Sequence, residues 1–399
     1  MRIFKSLVAA AAVAATATTL TVAPAMADPV NHHLHRVIPN AFDVVGVGSD
    51  TIEFVLDQLS VNYNAAHPTH NLRHPWIYSW DATPPKNPTN LTSHIVPKSG
   101  CSKVLRPDGS SAGIAAMAAS PSTRNHKHKC FDFARSSRAR ATTDPAKGPG
   151  GIEFVTLAKD AVTYSTAATT NAPANLTTAQ LDQIFTCTVP AKGSHPANDW
   201  ADLGGKAGHI NPVLPQTSSG TRSFFLTAIG GGTAVTPGSC VNATLPEENE
   251  GVAPVFRTNS KNLIFPFSIG KYLAQKFHSA ACHNASCTGT PACHPRKGQN
   301  SFGCDAVGHL VLRSINGTKP TSGSGRKTVI NAGFTPTFQR FVFDVVPFST
   351  TTADHIPANM ERFFASARAR HPGWFCGKKA RQILINYGFL PTPLCGVTS

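Results

Sequence analysis

Three short turns in the sequence combine glycine with hydroxyl side chains, a composition suited to binding an anion. They are GVGSDT at residues 46–51, DGSSAG at residues 108–113 and TSSGTR at residues 217–222. Each turn precedes a run with helical spacing, so its N–H groups are expected at a helix N-terminus, where they are unpaired and carry partial positive charge. Glycine lets the backbone approach closely, and serine or threonine adds a donor. The turns therefore predict an anion site that needs no lysine.

A single turn of this kind is ordinary, because serine and threonine often cap helices. The repetition of the pattern, together with a fourth and basic turn ARSSRAR at residues 134–140, favours a shared anion site over separate caps. Two enzyme motifs are missing from the chain, the metalloprotease pattern HExxH and the Walker phosphate loop. The absence of these motifs makes a phosphate-ester hydrolase a less favoured interpretation than a binding protein or an interaction protein. Neither a cofactor nor a metal is expected.

The first 27 residues are typical of a secretory signal peptide. Arg2 and Lys5 form a basic start, residues 7–23 are almost entirely Ala, Val, Leu and Thr, and Ala25-Met26-Ala27 offers a small-residue cleavage site. A membrane anchor is the alternative, but no charged stop-transfer flank follows. No cysteine at the cleavage site could carry a lipid. We therefore expect a secreted, soluble mature protein without a lipid anchor, starting near Asp28.

Ten cysteines in an exported chain are expected to form disulfides. The spacing suggests three local pairs and leaves four cysteines whose pairing stays open. The predicted pairs are Cys101–Cys130, Cys187–Cys240 and Cys376–Cys395, and the other four are Cys282, Cys287, Cys293 and Cys304. Metal binding is the alternative, since CHNASCTGTPACHP and HNHKHKC mix Cys with His. Structural zinc sites favour close C-x-x-C pairs, which the chain lacks, so disulfides are the prediction.

The chain has a formal charge of +15 at pH 7, although only 14% of its 399 residues are charged. Such a surface attracts anions without identifying one, and a basic surface with no special partner is the alternative. Nucleic acid is not expected as a partner, because the sequence has no basic helix, aromatic RNA motif or zinc-finger spacing.

Alternating strands and helices must position these turns. The stretch AFDVVGVG predicts a buried strand that leads into a helix capped by Ser49 or Asp50. Helices are also expected after Ser110 and after the turn at 217–222, whereas CFDFARSS and GIEFVTLAKDAVTYST predict strands. The pattern favours an α/β fold, preceded by a loose N-terminal arm at residues 28–40.

The order of these segments resembles the phosphate-binding proteins of phosphate ABC transporters, which have the periplasmic-binding-protein type II fold. VVGVGSDTIEFVLDQL resembles their opening strand and helix, DGSSAGIAAM their glycine-serine turn, and FDFARSS their D-F-G-x-S-D strand end. The segments KDAV, LTTAQLDQIF, SSGTRSFF and FSIGKYLAQKF continue the likeness over roughly residues 41–280. The resemblance implies two α/β lobes with mixed sheets flanked by helices, here stapled by the predicted disulfides, and a binding protein rather than an enzyme.

In such a fold the lobes close on a ligand by hinge motion. Lobe one is expected to contain residues 41–164 and 266–399, and lobe two residues 165–265. The implied ligand is inorganic phosphate or another small oxyanion, bound by a monomer that an ABC permease or an anionic wall polymer could contact. The alternative function is that of a secreted wall- or matrix-associated interaction protein that kept the fold and lost phosphate transport.

The resemblance implies that the anion ligands lie in the four turns. They are Ser49, Asp50, Thr51, Ser110, Ser111, Arg135, Ser137, Arg138, Ser219, Gly220, Thr221 and Arg222. Two positions depart from the family, because Ser137 replaces an aspartate that accepts the proton of hydrogen phosphate and Pro215 replaces an arginine. Either one of the three arginines in the turns supplies the missing charge, or phosphate binding is weakened or lost. Asp50 is expected to supply the missing proton acceptor and so to favour phosphate over sulfate.

Overall fold

The computed structural model describes residues 28–29, 37–84, 92–125, 127–194, 197–278, 307–365 and 372–399. These residues form a mixed α/β fold with helices flanking the sheets, as the sequence predicts. The predicted signal peptide and part of the predicted loose arm lie outside them. Asp28, the first residue of that arm, is buried and pairs with Arg106. None of the helices among these residues is long and apolar enough to cross a membrane.

The elements follow the predicted alternation. The strands in the described ranges are β1 (Val44–Gly48), β2 (Ile77–Ser79), β3 (His94–Ile95), β4 (Val104–Leu105), β5 (Phe133–Ser136), β6 (Ile152–Ala167), β7 (Asn175–Leu176), β8 (Asn211–Pro212), β9 (Leu263–Ser268), β10 (Leu310–Leu312), β11 (Ser314–Ile315), β12 (Thr321–Ser322), β13 (Val329–Ile330) and β14 (Gln339–Pro347). The α-helices there are α1 (Glu53–Ala66), α2 (Ser110–Ala118), α3 (Thr178–Thr186), α4 (Gly220–Ile229), α5 (Ile269–Leu273), α6 (Ala358–Phe364) and α7 (Lys378–Asn386). Short 3-10 helices cover Asp50–Ile52, Trp200–Leu203, Pro254–Phe256, Ser260–Asn262, Gly325–Lys327, Pro336–Phe338 and Trp374–Cys376, and a π-helical turn covers Ala274–His278.

The main sheet orders its strands β2-β1-β5-β14-β6-β9-β8, with β10 beside β6. Strand β1 is parallel to β2 and β5, whereas β14 is antiparallel to both β5 and β6. The carboxyl ends of the parallel neighbours β1 and β5 meet at one edge, where Gly48 is the register partner of Arg135. Ser49 and the turn after Ser136 therefore leave the sheet side by side.

The 16-residue strand β6 runs through much of the sheet. Its residues from Ile152 to Ala161 pair with β14, whereas Val162 to Ser165 pair with β9. This register places Arg340 of β14 opposite Asp160, next to the point where β6 passes from one neighbour to the other.

Three clusters of buried apolar side chains form the core of the described residues. One packs α1 against α6 and α7, and a second packs α2 against β1. The third surrounds α3, α4 and β9, and it includes both Phe265 and Ile269. This cluster has members on both sides of the predicted boundary at 265/266. The division into two lobes stays a prediction.

The three predicted local disulfides are present. The Cα–Cα distance is 5.9 Å for Cys101–Cys130, 5.8 Å for Cys187–Cys240 and 5.7 Å for Cys376–Cys395. All three distances lie in the usual range for disulfides. The other four cysteines, at positions 282, 287, 293 and 304, lie outside the described residues, so their pairing stays a prediction.

Candidate functional site

The first predicted turn leaves the sheet at the end of β1. Ser49 Oγ caps the 3-10 helix ahead of α1 by accepting a hydrogen bond from the Thr51 N–H at 3.3 Å. The preceding Gly48 has a φ of +114°, and a Cβ at this position would lie 2.8 Å from the carbonyl oxygen of Arg135. Glycine is therefore required for β1 and β5 to approach here. Ser49 and Thr51 are both buried.

The second and fourth turns meet at the start of α2. Ser110 Oγ accepts a hydrogen bond from the Ser137 N–H at 3.0 Å, and Ser137 Oγ lies 3.0 Å from Ser49 Oγ. These three hydroxyls therefore connect the first, second and fourth turns. Ser111 does not take part in this connection, because its Oγ accepts from Arg138 Nε at 3.2 Å and Arg138 Nη2 at 3.1 Å.

The third turn starts α4 and lies directly against the second. Ser219 Oγ caps α4 by accepting from the Arg222 N–H at 3.0 Å. A Cβ on Gly220 would lie 2.2 Å from Ser110 Oγ, so a side chain would not fit between the two helix starts. We call the buried group that results the cradle, and its members are Ser49, Thr51, Ser110, Ser137, Ser219, Gly220 and Thr221.

A carboxylate from the chain itself occupies the cradle. Glu248 has 0% exposure, and its Oε1 lies 2.8 Å from Ser49 Oγ, 3.4 Å from the Thr51 nitrogen and 3.5 Å from Thr51 Oγ1. Its Oε2 accepts from the Thr221 N–H at 3.1 Å and from the Ser219 hydroxyl. Because a carboxylate only accepts, all these neutral groups donate to it. The arrangement can therefore hold an oxyanion without a cation in direct contact.

Hydrogen bonds fix the segment that carries Glu248. Asn249, whose φ is +59°, donates from Nδ2 to Asp50 Oδ2 at 3.0 Å and accepts at Oδ1 from the Ser268 N–H at 2.8 Å. Gln275 Nε2 donates to the carbonyl oxygen of Asn249 at 2.8 Å. Asparagine is among the residues that adopt a left-handed backbone most readily, which suits it to this turn.

Two acids, the buried Glu247 and the part-buried Asp108, lie beside the cradle and are bridged by one amide. Gln216 Nε2 donates to Asp108 Oδ1 at 2.9 Å and to Glu247 Oε2 at 2.8 Å. Burial raises the pKa of Asp108 to about 7. Burial, together with the charge of Asp108, raises the pKa of Glu247 well above its usual value. A raised pKa favours the protonated form of both acids, which limits the negative charge next to Glu248.

Asp50, the predicted proton acceptor, belongs to a buried ion-pair group. Its Oδ1 lies 2.9 Å from Lys271 Nζ, and the same ammonium lies 2.7 Å from Glu53 Oε1. Burial acts to raise the pKa of Glu53, but the charges of Lys271 and Arg135 outweigh it and hold that pKa below its usual value. The role of Asp50 as a proton acceptor stays a prediction.

The three arginines considered from the sequence bind groups other than the Glu248 carboxylate. They are Arg135, which donates to the carbonyl oxygens of Ser49 at 2.9 Å and Trp80 at 2.7 Å; Arg138, which pairs with Asp144 at 2.6 Å; and Arg222, which donates to the carbonyl oxygen of Pro215 at 2.8 Å. These contacts therefore do not show which arginine, if any, replaces the one missing at Pro215, and that role stays a prediction.

Arg340, which sequence reasoning missed, reaches the cradle from β14. Its Nη2 donates to Thr221 Oγ1 at 3.0 Å and to Asp160 Oδ2 at 2.8 Å. Its Nη1 is buried and has no hydrogen-bond partner in the described part of the chain. The signal in the sequence was a basic residue near the start of the mostly apolar strand QRFVFDVVP. Glu248 was also missed, and its signal was three glutamates among residues 247–250.

A hydrolase would need a nucleophile with a base, and residues 109–113 do have the G-x-S-x-G spacing of serine hydrolases. Ser111 is the serine at the centre of that motif, and its hydroxyl binds Arg138, which cannot act as a base. Among the residues that the structure describes, no group of three or more His, Cys, Asp or Glu could hold a metal ion.

Two solved structures superpose on most of the chain at low sequence identity. An ABC-type phosphate transport receptor from Vibrio cholerae is 15% identical with a TM-score of 0.48, over 87% of this chain and 99% of that chain. A putative phosphate ABC transporter substrate-binding protein with bound phosphate from Clostridium perfringens is 13% identical with a TM-score of 0.49, over 88% of this chain and 99% of that chain.

No curated protein sequence matches the chain. A family model described as a PBP superfamily domain matches residues 14–286, which is more than half of the chain. This match covers the segments that resemble periplasmic binding proteins, and it confirms that resemblance. The chain therefore belongs to the PBP superfamily.

Proposed function

We propose that the protein is a solute-binding protein that holds a small oxyanion in the cradle, with inorganic phosphate as the first candidate. The observation that carries this proposal is the convergence of donors on the Glu248 carboxylate. A buried anion is strongly unfavourable unless hydrogen bonds replace its lost hydration. Donors from the starts of two separate helix segments supply those bonds, so the group is suited to an anion and poorly suited to an apolar ligand or a cation.

Further groups next to the carboxylate support a tetrahedral oxyanion. The Ser137 hydroxyl adjoins Ser49 and the Ser110 hydroxyl adjoins Ser137, and both could donate to oxygens that a carboxylate does not have. Arg340 contacts Thr221 and supplies a positive charge close to the cradle. Arg340, which contacts Thr221 rather than the anion itself, would offset part of the charge of a phosphate. The arginine that the resembled family has at the position of Pro215 would have the same role.

The proposed biological role is the capture of this oxyanion outside the cell after export. An ABC permease is the proposed receiver of the solute. Closure of two lobes on the solute is part of the same proposal. The contact between Gly220 and Ser110 would then belong to the closed state.

Calorimetry with inorganic phosphate, sulfate and arsenate tests the proposal. We expect saturable binding of phosphate at one site, accompanied by a rise in melting temperature, because a ligand that binds only the folded state stabilises it. Protein refolded from denaturant and dialysed free of phosphate should be used. No binding of any of the three anions at millimolar concentration, in the wild type and in the Glu248→Ala variant discussed below, would overturn the proposal.

The second candidate is a wall- or matrix-associated interaction protein that retains the fold without transporting phosphate. It is favoured by the formal charge of +15 and by the occupation of the cradle by the protein's own carboxylate. Co-sedimentation with a poly(glycerol phosphate) polymer at increasing salt distinguishes it. Tight, salt-sensitive association combined with no binding of free phosphate would favour this candidate, because exposed charges are screened by salt.

A further inference from the structure

We propose that Glu248 is an internal ligand of the cradle, so that a solute binds by displacing this side chain rather than by filling an empty site. The inference rests on the proposed function, because it names the group with which the solute competes. It makes Glu248 a residue that sets both the affinity and the selectivity of the site.

The contacts of Glu248 are those of a ligand rather than of a side chain that merely packs. Both carboxylate oxygens bind cradle groups, with Ser49 and Thr51 on Oε1 and Ser219 and Thr221 on Oε2. These four residues come from two turns that are about 170 residues apart in sequence, as shown by the Thr51–Thr221 separation of 170. A carboxylate bound by several donors from both sides occupies the position that a bound anion would need.

Simultaneous binding of Glu248 and a second anion is unfavourable. The Glu248 carboxylate is fully buried, and both of its oxygens are already bound by cradle groups. A phosphate placed beside this carboxylate would face a like charge at low effective dielectric. The close approach of Gly220 to Ser110 also leaves no room for a side chain between the two helix starts. Exchange of one anion for the other is therefore the mode of binding that the geometry allows.

Movement of the segment around Glu248 would break hydrogen bonds but expose no apolar side chain of residues 247–250, which are all polar. The segment's other attachments are hydrogen bonds, including those of Asn249 to Asp50 and Ser268 and that of the Gln216 N–H to the Pro246 carbonyl oxygen at 3.0 Å. An intramolecular ligand lowers the apparent affinity for a free ligand by the fraction of time that it occupies the site. Only solutes that bind the donors better than a carboxylate does would therefore compete, which selects for more highly charged oxyanions.

Substitution of Glu248 tests the inference. Calorimetry with inorganic phosphate at pH 7.5 should show at least tenfold tighter binding by Glu248→Ala than by the wild type, because the competing carboxylate is gone. Glu248→Gln should also bind more tightly, since its amide places a donor against other donors. The matched control is Glu250→Gln, because Glu250 lies two residues away and binds the Val252 N–H of its own segment at 2.8 Å. This control should bind phosphate like the wild type.

A second measurement on the wild type avoids dependence on a variant that folds poorly. A glutamate-specific protease should cut at residues 247–250 slowly in the absence of phosphate and at least fivefold faster at saturating phosphate, since displacement exposes this segment. Equal phosphate affinity of wild type and Glu248→Ala, or protection of the segment by phosphate, would overturn the internal ligand while leaving the proposed function intact. Failure of all the proteins to bind phosphate, sulfate or arsenate would overturn the proposed function, and the inference with it.

Discussion

Arg340 donates to the Thr221 hydroxyl at 3.0 Å while its Nε and Nη2 lie 3.0 Å and 2.8 Å from Asp160 Oδ2. The guanidinium also lies over the ring of Phe224, with Cζ 5.3 Å from the ring centroid. One residue of β14 thus connects the cradle at the start of α4 to a buried carboxylate on β6. Its charge is therefore held in place by the fold rather than by a solute.

Replacing Arg340 should destabilise the protein through Asp160. In Arg340→Met the Asp160 carboxylate loses its ion pair while buried, which typically costs about 3–5 kcal/mol of unfolding free energy. The double variant Arg340→Met/Asp160→Asn should recover most of this loss, because the amide oxygen can still accept from the Gly270 N–H while the amide NH2 can donate to the Ser268 hydroxyl oxygen. Urea unfolding measures the free energies. Equal destabilisation of the single and double variants would contradict the coupling.

The hydroxyls that bind Glu248 should also bind the solute. The double variant Ser49→Ala/Ser219→Ala removes two hydrogen bonds to a charged group, each contributing about 1.5–3 kcal/mol. In a Glu248→Ala background, phosphate affinity should therefore fall by about a hundredfold or more. Calorimetry measures the change.

Ser111→Ala is the matched control for this pair. Ser111 lies in the same hydroxyl-rich turn as Ser110, but its side chain binds Arg138. We expect less than about a threefold change in phosphate affinity, since about 0.65 kcal/mol corresponds to that factor. A loss comparable to that of the double variant would mean that the solute lies closer to Arg138 than the Glu248 contacts indicate.

Local patterns in the sequence were sufficient to predict the turns and the elements that carry them. Ser219 caps α4 as a hydroxyl before a helical run should, and Thr177 forms a capping box with Gln180 at the start of α3. The three local disulfides were also predictable, because cysteines that lie near each other in sequence have few alternative partners. These features depend on neighbours in sequence, which the periodicity and capping rules describe.

The remaining parts of the site depend on tertiary contacts that no local pattern encodes. Ser110 and Ser111 are adjacent, yet only Ser110 faces the cradle, because successive side chains on a helix point about 100° apart. Arg340 reaches Thr221 only because β14 lies between β5 and β6 in the sheet. Glu248 enters from a segment without regular structure, so its position had no periodicity to reveal it.

The contact between the two helix starts should tolerate no side chain at Gly220. A Cβ in Gly220→Ala would lie 2.2 Å from Ser110 Oγ and 2.4 Å from Ser137 Oγ, both of which are buried. Overpacking of this kind costs about 1–3 kcal/mol, so the melting temperature should fall by several degrees. Differential scanning calorimetry measures the shift. Gly333→Ala is the control, because the nearest atom to its new Cβ would be 3.5 Å away, and an unchanged melting temperature is expected. Equal shifts in both variants would mean that the helix starts are not in tight contact.

Asp344 should make stability depend on pH in a defined window. This residue has 0% exposure on β14, opposite Arg135 of β5, and neither carboxylate oxygen has a hydrogen-bond partner among the residues that the structure describes. Burial raises its pKa to about 8, and the charge of Arg135 offsets this only in part. In the unfolded chain the pKa returns to its ordinary value near 4. Between about pH 4 and pH 8 the folded protein therefore binds a proton that the unfolded chain has released.

Because the folded state binds more protons in this window, the contribution of Asp344 to stability is greatest below pH 4 and is lost as pH rises to about 8. Asp344→Asn is neutral at every pH and removes this contribution. The unfolding free energy of the variant minus that of the wild type should therefore increase by up to about 1.4 kcal/mol per pH unit between pH 4 and pH 8. Above pH 8 this difference should be constant. Urea unfolding at pH 4.5, 6, 7.5 and 9 measures this difference. Parallel curves for the two proteins would show that Asp344 is ionised in the folded state and that Arg135 outweighs its burial.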